Sequence, residues 1–236
     1  MRIQHFENEV DFINKAAGLL IQEIDRKPEL LLCAATGNSP LLVYRRLVYD
    51  KKLHVNRYKN LNIIKLDEWV SLESNAGSCE TYLRKELINP LRIKERNYIG
   101  FDEKTKNPIE ECKRVQDLLD NNGPIDMCVL GLGKNGHLGF NEPPGDPTKK
   151  CHVAHLTAQS QEHDMVANQL KKPEFGMTLG IQDILNSKRI LLLISGKGKE
   201  KAKQRFLSSK VDPQCPASFL WMHSNVDCLI LEELFK

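Results

Sequence analysis

Four mostly apolar runs restrict the fold of this 236-residue chain more than any other feature of its sequence. They lie at residues 30–35, 62–66, 127–130 and 189–195, and each ends in a polar or glycine-rich turn. Because apolar and polar residues do not alternate in them, each run predicts a strand buried on both faces, as in a parallel sheet covered by helices. Helical spacing between the runs then predicts an α/β fold with a doubly wound, mostly parallel sheet. We expect one domain over residues 1–236.

Shorter patterns predict the remaining elements. Helical spacing predicts helices over residues 10–24, 41–49, 78–87, 108–121, 159–170 and 180–186. Short strands are predicted at residues 1–6, 97–101, 152–156, 175–179, 216–220 and 226–231, the first of them at a sheet edge. A stretch rich in proline, glycine and lysine begins at Pro143 and predicts an irregular flap over residues 143–175.

The bulk properties argue against several classes of function. The formal net charge is +3 with 28% charged residues and no long basic run, which argues against binding nucleic acid. No apolar run approaches membrane-spanning length, and the first residues lack the apolar region of a signal peptide. The seven cysteines are odd in number and form no CxxC pair, so neither a disulfide framework nor a zinc site is expected. A cytoplasmic protein without membrane partner, metal or cofactor is therefore predicted.

The run at residues 127–130 leads into a loop that contains one imidazole, His137, and one carboxylate, Glu142. The loop is also dense in glycine, with Gly131, Gly133, Gly136 and Gly139. Such glycines let a backbone come very close to another group. A base with a possible orienting acid in this setting indicates a catalytic centre, and the alternative is a plain turn with a surface histidine.

Two further strand ends suit an anion. One is Thr36-Gly37-Asn38-Ser39, where backbone N–H groups at a helix N-terminus and two hydroxyls favour phosphate. The alternative there is a simple helix cap, with Ser39 as N-cap. The other is the turn at residues 195–199, where Lys197 or Lys199 is either a phosphate counter-charge or part of a solvated helix start.

A carboxylate, Asp67, follows the run at residues 62–66. It is either a ligand-facing group at the carboxyl edge of the sheet or part of a solvated turn. Taken together, the strand ends predict a phosphorylated small substrate that undergoes proton transfers.

Three segments resemble the signature blocks of the amino-sugar-phosphate isomerase/deaminases, a family that includes the glucosamine-6-phosphate deaminases. They are Ala-Thr-Gly-Asn-Ser-Pro at 35–40, Leu-Asp-Glu-Trp-Val at 66–70, and Gly-Leu-Gly-Lys-Asn-Gly-His-Leu-Gly-Phe-Asn-Glu-Pro at 131–143. The resemblance covers essentially the whole chain. It implies a Rossmann-like single domain, an amino-sugar 6-phosphate as substrate, no cofactor, and an enzyme that can assemble as a homo-oligomer.

The resemblance also implies residue roles. His137 is expected to open the pyranose ring, with Glu142 orienting the imidazole. Asp67 is expected to move a proton between C2 and C1 of the opened sugar. The turn from Thr36 to Ser39 and Lys199 are expected to hold the 6-phosphate.

This sequence departs from the glucosamine enzymes at several positions. Asn135 stands where many of them have Asp, and it is expected to hydrogen-bond without titrating. Their phosphate-binding Arg aligns near Leu170, so Lys171 or Lys172 is expected to replace it, and Gly136 is expected beside the substrate.

Other departures, including Trp69 where glucosamine enzymes usually have Tyr, favour the galactosamine-6-phosphate branch. The predicted reaction converts galactosamine 6-phosphate and water to tagatose 6-phosphate and ammonia. The alternatives are a glucosamine-6-phosphate deaminase that yields fructose 6-phosphate, a sugar-phosphate lactonase, and a non-catalytic sugar-sensing module.

Overall fold

The computed structural model of the chain describes residues 1–74 and 77–232. The other six positions fall within the expected domain but lie outside the described residues. In the described ranges the strands are β1 Arg2–Phe6, β2 Leu31–Ala34, β3 Asn62–Lys65, β4 Asp67–Trp69, β5 Tyr98–Ile99, β6 Met127–Gly131, β7 His152–His155, β8 Phe175–Thr178, β9 Ile190–Ile194 and β10 Val226–Leu231. The α-helices there are α1 Glu9–Arg26, α2 Asn38–Leu53, α3 Cys79–Leu83, α4 Asn89–Leu91, α5 Pro108–Asn122, α6 Ala158–Gln161, α7 Ile181–Leu185 and α8 Glu200–Leu207.

The main sheet confirms the predicted fold class. Over the described residues it has the strand order β1-β10-β9-β6-β2-β3-β5, and all its neighbours pair in parallel. The apolar runs form its centre, and β2 and β9 are buried along their whole length. From β2 the chain builds the sheet in one direction through β3 and β5, and then returns to β6 on the other side of β2. The carboxyl ends of β2 and β6 therefore form a topological switch point, where open α/β sheets bind ligands.

Two apolar cores cover the two faces of this sheet. Alternate residues of one strand point to opposite faces, so Cys33 and Leu192 join one core while Leu32 and Leu191 join the other. Burying each Leu side chain contributes roughly 1.5–3 kcal/mol, and the many such residues on both faces fix the register of the sheet.

A second, small antiparallel sheet was not predicted. It has the order β4-β8-β7, and Asp67 pairs opposite Thr178 while Trp69 pairs opposite Gly176. The strands expected at residues 152–156 and 175–179 are confirmed, but they belong to this sheet. It carries β4, which starts two residues after β3 ends, across the carboxyl edge of the main sheet.

Two predictions of secondary structure were wrong. The helix expected at residues 159–170 is only the short α6 followed by a 3-10 turn, Asp164–Val166, because the His163 ring accepts the Met165 N–H and ends the helical pattern. The strand expected at residues 216–220 is a 3-10 helix, Pro216–Met222, in which the Ser218 hydroxyl accepts the Asp212 N–H. No helix in the described ranges is long and apolar enough to cross a membrane.

Candidate active site

A cavity of about 350 Å³ opens at the switch point of the main sheet. Its walls come from the turns after β2, β3, β6 and β9 and from the segment at residues 159–165. Its size suits a small ligand such as a sugar phosphate. Most of the residues singled out from the sequence meet here, although they are far apart along the chain.

One end of the cavity combines a helix N-terminus, hydroxyl groups and a lysine, which are groups that suit an anion. Gly37 lies at φ +98°, a left-handed conformation that favours glycine, and it occupies the N-cap position of α2. The Ser39 hydroxyl accepts hydrogen bonds from the Lys199 ammonium at 3.1 Å and from the Ser195 hydroxyl at 3.1 Å. Thr36 and Asn38 complete this part of the lining. The interpretation of Ser39 as N-cap was therefore wrong, because Ser39 lies two residues after the N-cap Gly37, and its hydroxyl contacts the β9–α8 turn instead.

Asp67 stands in the wall of the cavity as the first residue of β4. Burial, followed by the negative charge of Glu68, raises its pKa to about 7, while His137 and Lys65 act in the opposite direction. Its Oδ1 atom is buried and has no hydrogen-bond partner within residues 1–74 and 77–232. A carboxyl group with a pKa near neutrality is suited to taking up and returning a proton at physiological pH.

Glu68 points away from the cavity, because consecutive residues of a strand face opposite sides. Its carboxylate accepts a hydrogen bond from the buried Lys65 ammonium at 2.8 Å and from the N–H groups of Cys79 and Glu80. This buried ion pair holds β4 against the start of α3. It therefore fixes Asp67 in place.

His137 and Glu142 form the second ionisable group of the site. Glu142 Oε2 lies 3.6 Å from His137 Nδ1, an ion-pair distance, and the Ser160 hydroxyl lies 3.3 Å from the same nitrogen. Burial opposes ionisation of Glu142, but His137 together with hydrogen bonds from Ser160 and Asn135 lowers its pKa to about 2. Because Nδ1 faces these partners, Nε2 is left for a ligand.

The glycines of this loop serve the histidine directly. A Cβ atom at Gly133 would lie 2.3 Å from the Cδ2 and Nε2 atoms of His137, so only glycine lets the ring lie over the loop backbone. Asn135 holds the same turn: its Nδ2 donates to Glu142 Oε2 at 2.8 Å, and its Oδ1 accepts the His137 N–H at 3.1 Å. Asn135 thus links the acid and the base without carrying a titrating proton itself.

Three residues expected near the substrate do not line the cavity. Gly136 lies behind the loop, where its carbonyl accepts the Ala217 N–H and a Cβ would meet Cys215 Sγ at 2.7 Å. The Lys172 ammonium donates to the carbonyls of Val166 and Ala167. Lys171 is exposed and lies 3.8 Å from Glu174. The helix expected at residues 159–170 ends early, and this changes the path of the chain that leads to Lys171 and Lys172. Both lysines therefore lie away from the cavity.

Several residues that line the cavity were not singled out as contacts from the sequence, and four of them bear on the chemistry. Trp69 packs against Phe140 with ring centroids 4.5 Å apart, and these two rings form an apolar wall. His163 lines the cavity as well. Lys134 stands at the rim, inside the glycine loop already identified. Its place beside His137 in that loop is the one signal that was available in the sequence.

The described residues contain no group of three or more His, Cys, Asp or Glu side chains placed to hold a metal ion. All seven cysteines are free thiols, and each lies in a described range.

Comparison with known proteins places the chain in a family. Residues 8–229 match the family described as glucosamine-6-phosphate isomerases/6-phosphogluconolactonase. A provisionally named deaminase of Escherichia coli K12, AgaI, is 43% identical over 97% of this chain and 91% of its own length. The glucosamine-6-phosphate deaminase of Halalkalibacterium halodurans is 36% identical over 99% of this chain and 95% of its own.

Comparison with a solved structure supports the same family. A monomeric glucosamine-6-phosphate deaminase superposes with a TM-score of 0.93 at 32% identity, covering 99% of this chain and 98% of that one. The chain therefore belongs to the glucosamine-6-phosphate isomerase/6-phosphogluconolactonase family, and within that family it is an enzyme of the deaminase type.

Proposed function

We propose that this enzyme converts D-galactosamine 6-phosphate and water to D-tagatose 6-phosphate and ammonia. The observation that carries the proposal is one cavity in which Asp67, with a pKa near 7, and the His137–Glu142 pair stand beside an anion site. Amino-sugar 6-phosphates as the substrate class are supported by the names of two relatives, both glucosamine-6-phosphate deaminases.

The reaction begins with binding of the phosphate at Ser39, Lys199 and the first-turn N–H groups of α2. This end of the substrate does not react, so its binding energy serves to position the sugar carbons. His137 Nε2 then takes the proton of the C1 hydroxyl and delivers it to the ring oxygen, which opens the pyranose. Glu142 stabilises the imidazolium that forms in between.

Isomerisation and deamination follow in the opened chain. The Asp67 carboxylate removes the C2 proton and the electron pair forms a C1–C2 double bond, while the C1 oxygen takes up a proton that the amino group gives up. The proton held by Asp67 then returns to C1 as the nitrogen lone pair forms a C2=N bond. This converts the aldehyde carbon to a CH₂OH group and C2 to an imine. Water adds to C2, the C–N bond breaks, and the nitrogen leaves as ammonia with both protons of the added water, whose oxygen becomes the C2 carbonyl. The sugar product is the 2-ketose 6-phosphate.

The galactosamine epimer is favoured by Trp69, which lines the cavity at the position where the glucosamine enzymes usually have Tyr. A different side chain at this place in the wall is expected to change the contacts to the sugar hydroxyls, and the two substrates differ only in the configuration of the C4 hydroxyl. The glucosamine reaction is the second candidate, because two of the three relatives carry that name.

Ammonia release from both epimeric amino-sugar phosphates tests the proposal. We expect kcat/KM for galactosamine 6-phosphate to exceed that for the gluco epimer by about tenfold or more, which is the discrimination that one well-placed hydroxyl contact gives. A preference for glucosamine 6-phosphate would contradict the epimer assignment. Hydrolysis of 6-phosphogluconolactone without ammonia release from either amino sugar would contradict the reaction class.

A further inference from the structure

We infer that Trp69 is a specificity-determining residue: its indole N–H donates a hydrogen bond to the C4 hydroxyl of the sugar. The inference rests on the proposed function in that it takes an amino-sugar 6-phosphate as the ligand. It does not depend on which C4 epimer the enzyme prefers.

The position of Trp69 is fixed from several sides. Its side chain is 3% exposed and lines the cavity. Its backbone N–H donates to the buried Glu68 carboxylate at 2.9 Å, and its strand pairs with β8 at Gly176. The ring packs on Phe140. A ring held in this way presents its N–H in one direction, which is the preorganisation that recognition requires.

The indole N–H has no partner in the protein. Its Nε1 atom is buried, and no acceptor for it occurs in the part of the chain that the structure describes. A buried donor without a partner costs about 1–3 kcal/mol, so each such group calls for an explanation. Only a few buried side-chain atoms in these ranges share this state, and two of them are Asp67 Oδ1 and Glu142 Oε1, in the catalytic residues.

The nearest polar ring does not supply the acceptor. His163 has its ring centroid 6.0 Å from that of Trp69, and its Nδ1 accepts the Met165 N–H at 3.2 Å. The proton of the neutral imidazole therefore sits on Nε2, so this ring also offers a donor on that side. No acceptor for Trp69 occurs among the described residues, so we assign that role to the ligand.

The place of Trp69 relative to Asp67 selects the hydroxyl. The two side chains project from the same side of β4, two residues apart, which separates their Cα atoms by about 7 Å. Asp67 acts at C1 and C2, and the anion site holds C6. The C3 hydroxyl adjoins the reacting carbon beside Asp67, and the C4 hydroxyl lies one carbon further, toward Trp69. C4 is also the carbon at which the two epimers differ, so a fixed donor there discriminates between them.

Trp69→Phe tests the inference, because it keeps an aromatic ring against Phe140 and removes the N–H. We expect kcat/KM for the preferred epimer to fall about 10- to 100-fold, as loss of one buried hydrogen bond predicts, with less than about a threefold change for the other epimer. Inhibition by inorganic phosphate should be unchanged. Phe140→Leu is the matched control: it alters the wall but keeps the N–H, so it should affect both epimers alike.

The epimer ratio of the variant relative to the wild type decides the matter. If the wild type prefers the gluco epimer, the epimer assignment fails, yet a collapse of that ratio in Trp69→Phe still supports the inference. An equal loss on both epimers, or an unchanged ratio, would overturn it. Should Trp69→Phe fail to fold, 4-deoxygalactosamine 6-phosphate with the wild-type enzyme replaces it: a comparable loss supports the inference, and wild-type kcat/KM refutes it.

Discussion

Asp67 and Glu142 are both buried carboxyl groups, yet their pKa values lie on opposite sides of the ordinary range. Asp67 is buried beside the negative Glu68, which raises its pKa to about 7. Glu142 accepts hydrogen bonds from Asn135 and lies against His137, which together outweigh burial and hold its pKa at about 2. Such divergence separates a group that exchanges protons from one that only orients and stabilises a charge.

The first residue-scale prediction concerns the pH dependence of turnover. Asp67 must be ionised to remove the C2 proton, so kcat/KM should rise with pH and level off above an apparent pKa of about 7. Below that pKa the rate should fall about tenfold per pH unit. Ammonia release measured from pH 5 to 9 checks this. Asp67→Asn should bind the sugar phosphate but lose nearly all turnover. If the wild-type kcat/KM instead falls only below about pH 4, the titrating group is a carboxyl with an ordinary pKa, which contradicts the prediction.

The second residue-scale prediction concerns the phosphate. Lys134 lines the cavity, and its Cδ and Cε atoms lie 3.5–3.6 Å from where a Gly198 Cβ would stand, against the same turn that carries Lys199. Lys134→Gln should therefore raise KM about 5- to 10-fold and change kcat by less than about twofold, as expected for loss of one cation near a phosphate.

Lys171→Gln and Lys172→Gln are the controls for this measurement, because neither lysine lines the cavity. Steady-state kinetics on the three variants compares them. A larger increase in KM for the Lys171 or Lys172 variant than for the Lys134 variant would support the sequence-based expectation that Lys171 or Lys172 binds the phosphate.

At the scale of elements, the small sheet connects the two halves of the site. Pairing of β4 with β8 places Gly176 opposite Trp69, and the Phe140 ring of the glycine loop fills the space above that glycine. The Phe140 N–H donates to the Thr178 hydroxyl at 3.2 Å, so the loop is also bound to β8 directly. One antiparallel sheet therefore sets the distance between Asp67 and His137.

Gly176→Ala tests this connection. A Cβ there would lie 2.3 Å from Phe140 Cδ2, so the ring must move and the wall that it forms with Trp69 is disturbed. We expect a loss of about 1–3 kcal/mol in the free energy of unfolding, the usual cost of overpacking, together with reduced turnover. Urea denaturation measures the loss.

Gly18→Ala is the matched control. Gly18 lies within α1 and nothing stands within 4 Å of a Cβ there, so this change should stabilise the protein by about 0.5–1 kcal/mol. If Gly176→Ala and Gly18→Ala change the free energy of unfolding equally, the Phe140 ring can move away from β8 at no cost, which contradicts the prediction.

At the scale of the whole molecule, the buried carboxyl group of Asp67 is a source of instability. The folded-state pKa of Asp67, about 7, lies above its unfolded value of 3.8, so folding favours the protonated form. The contribution of Asp67 to stability is thus lost as pH rises from about 4 to about 7, and above that the penalty is on the order of 4 kcal/mol. Glu142 behaves in the opposite way: its stabilisation is present above pH 4.5 and is lost as pH falls toward 2.

Asp67→Asn should therefore stabilise the protein while inactivating it. We expect a gain of about 1–3 kcal/mol at pH 8, equivalent to several degrees in Tm for a chain of this size, and almost no gain at pH 4. Thermal unfolding of the wild type and the variant at both pH values makes the comparison. A gain that does not depend on pH would mean that the charge of Asp67 is not its cause.

Local sequence patterns were sufficient to predict the α/β class, the parallel strands and the loop that carries His137 and Glu142. Those features are local: an unbroken apolar run indicates a doubly buried strand, and glycines next to a histidine indicate a backbone turned tightly beneath a ring. The turn at Thr36–Ser39 and Asp67 were located for the same reason, because each directly follows such a run. That residues 143–175 move as a flap stays a prediction.

Tertiary structure alone decided which side chains meet. The pairing of β4 with β8 joins residues more than a hundred positions apart, and no local pattern specifies such a partner. It determines that Trp69 faces the cavity and that Phe140 lies over Gly176. The early end of α6, where the His163 ring binds a backbone N–H, determines that His163 rather than Lys171 or Lys172 lines the site. Propensity and periodicity act over a few residues, whereas these contacts depend on the packing of distant segments.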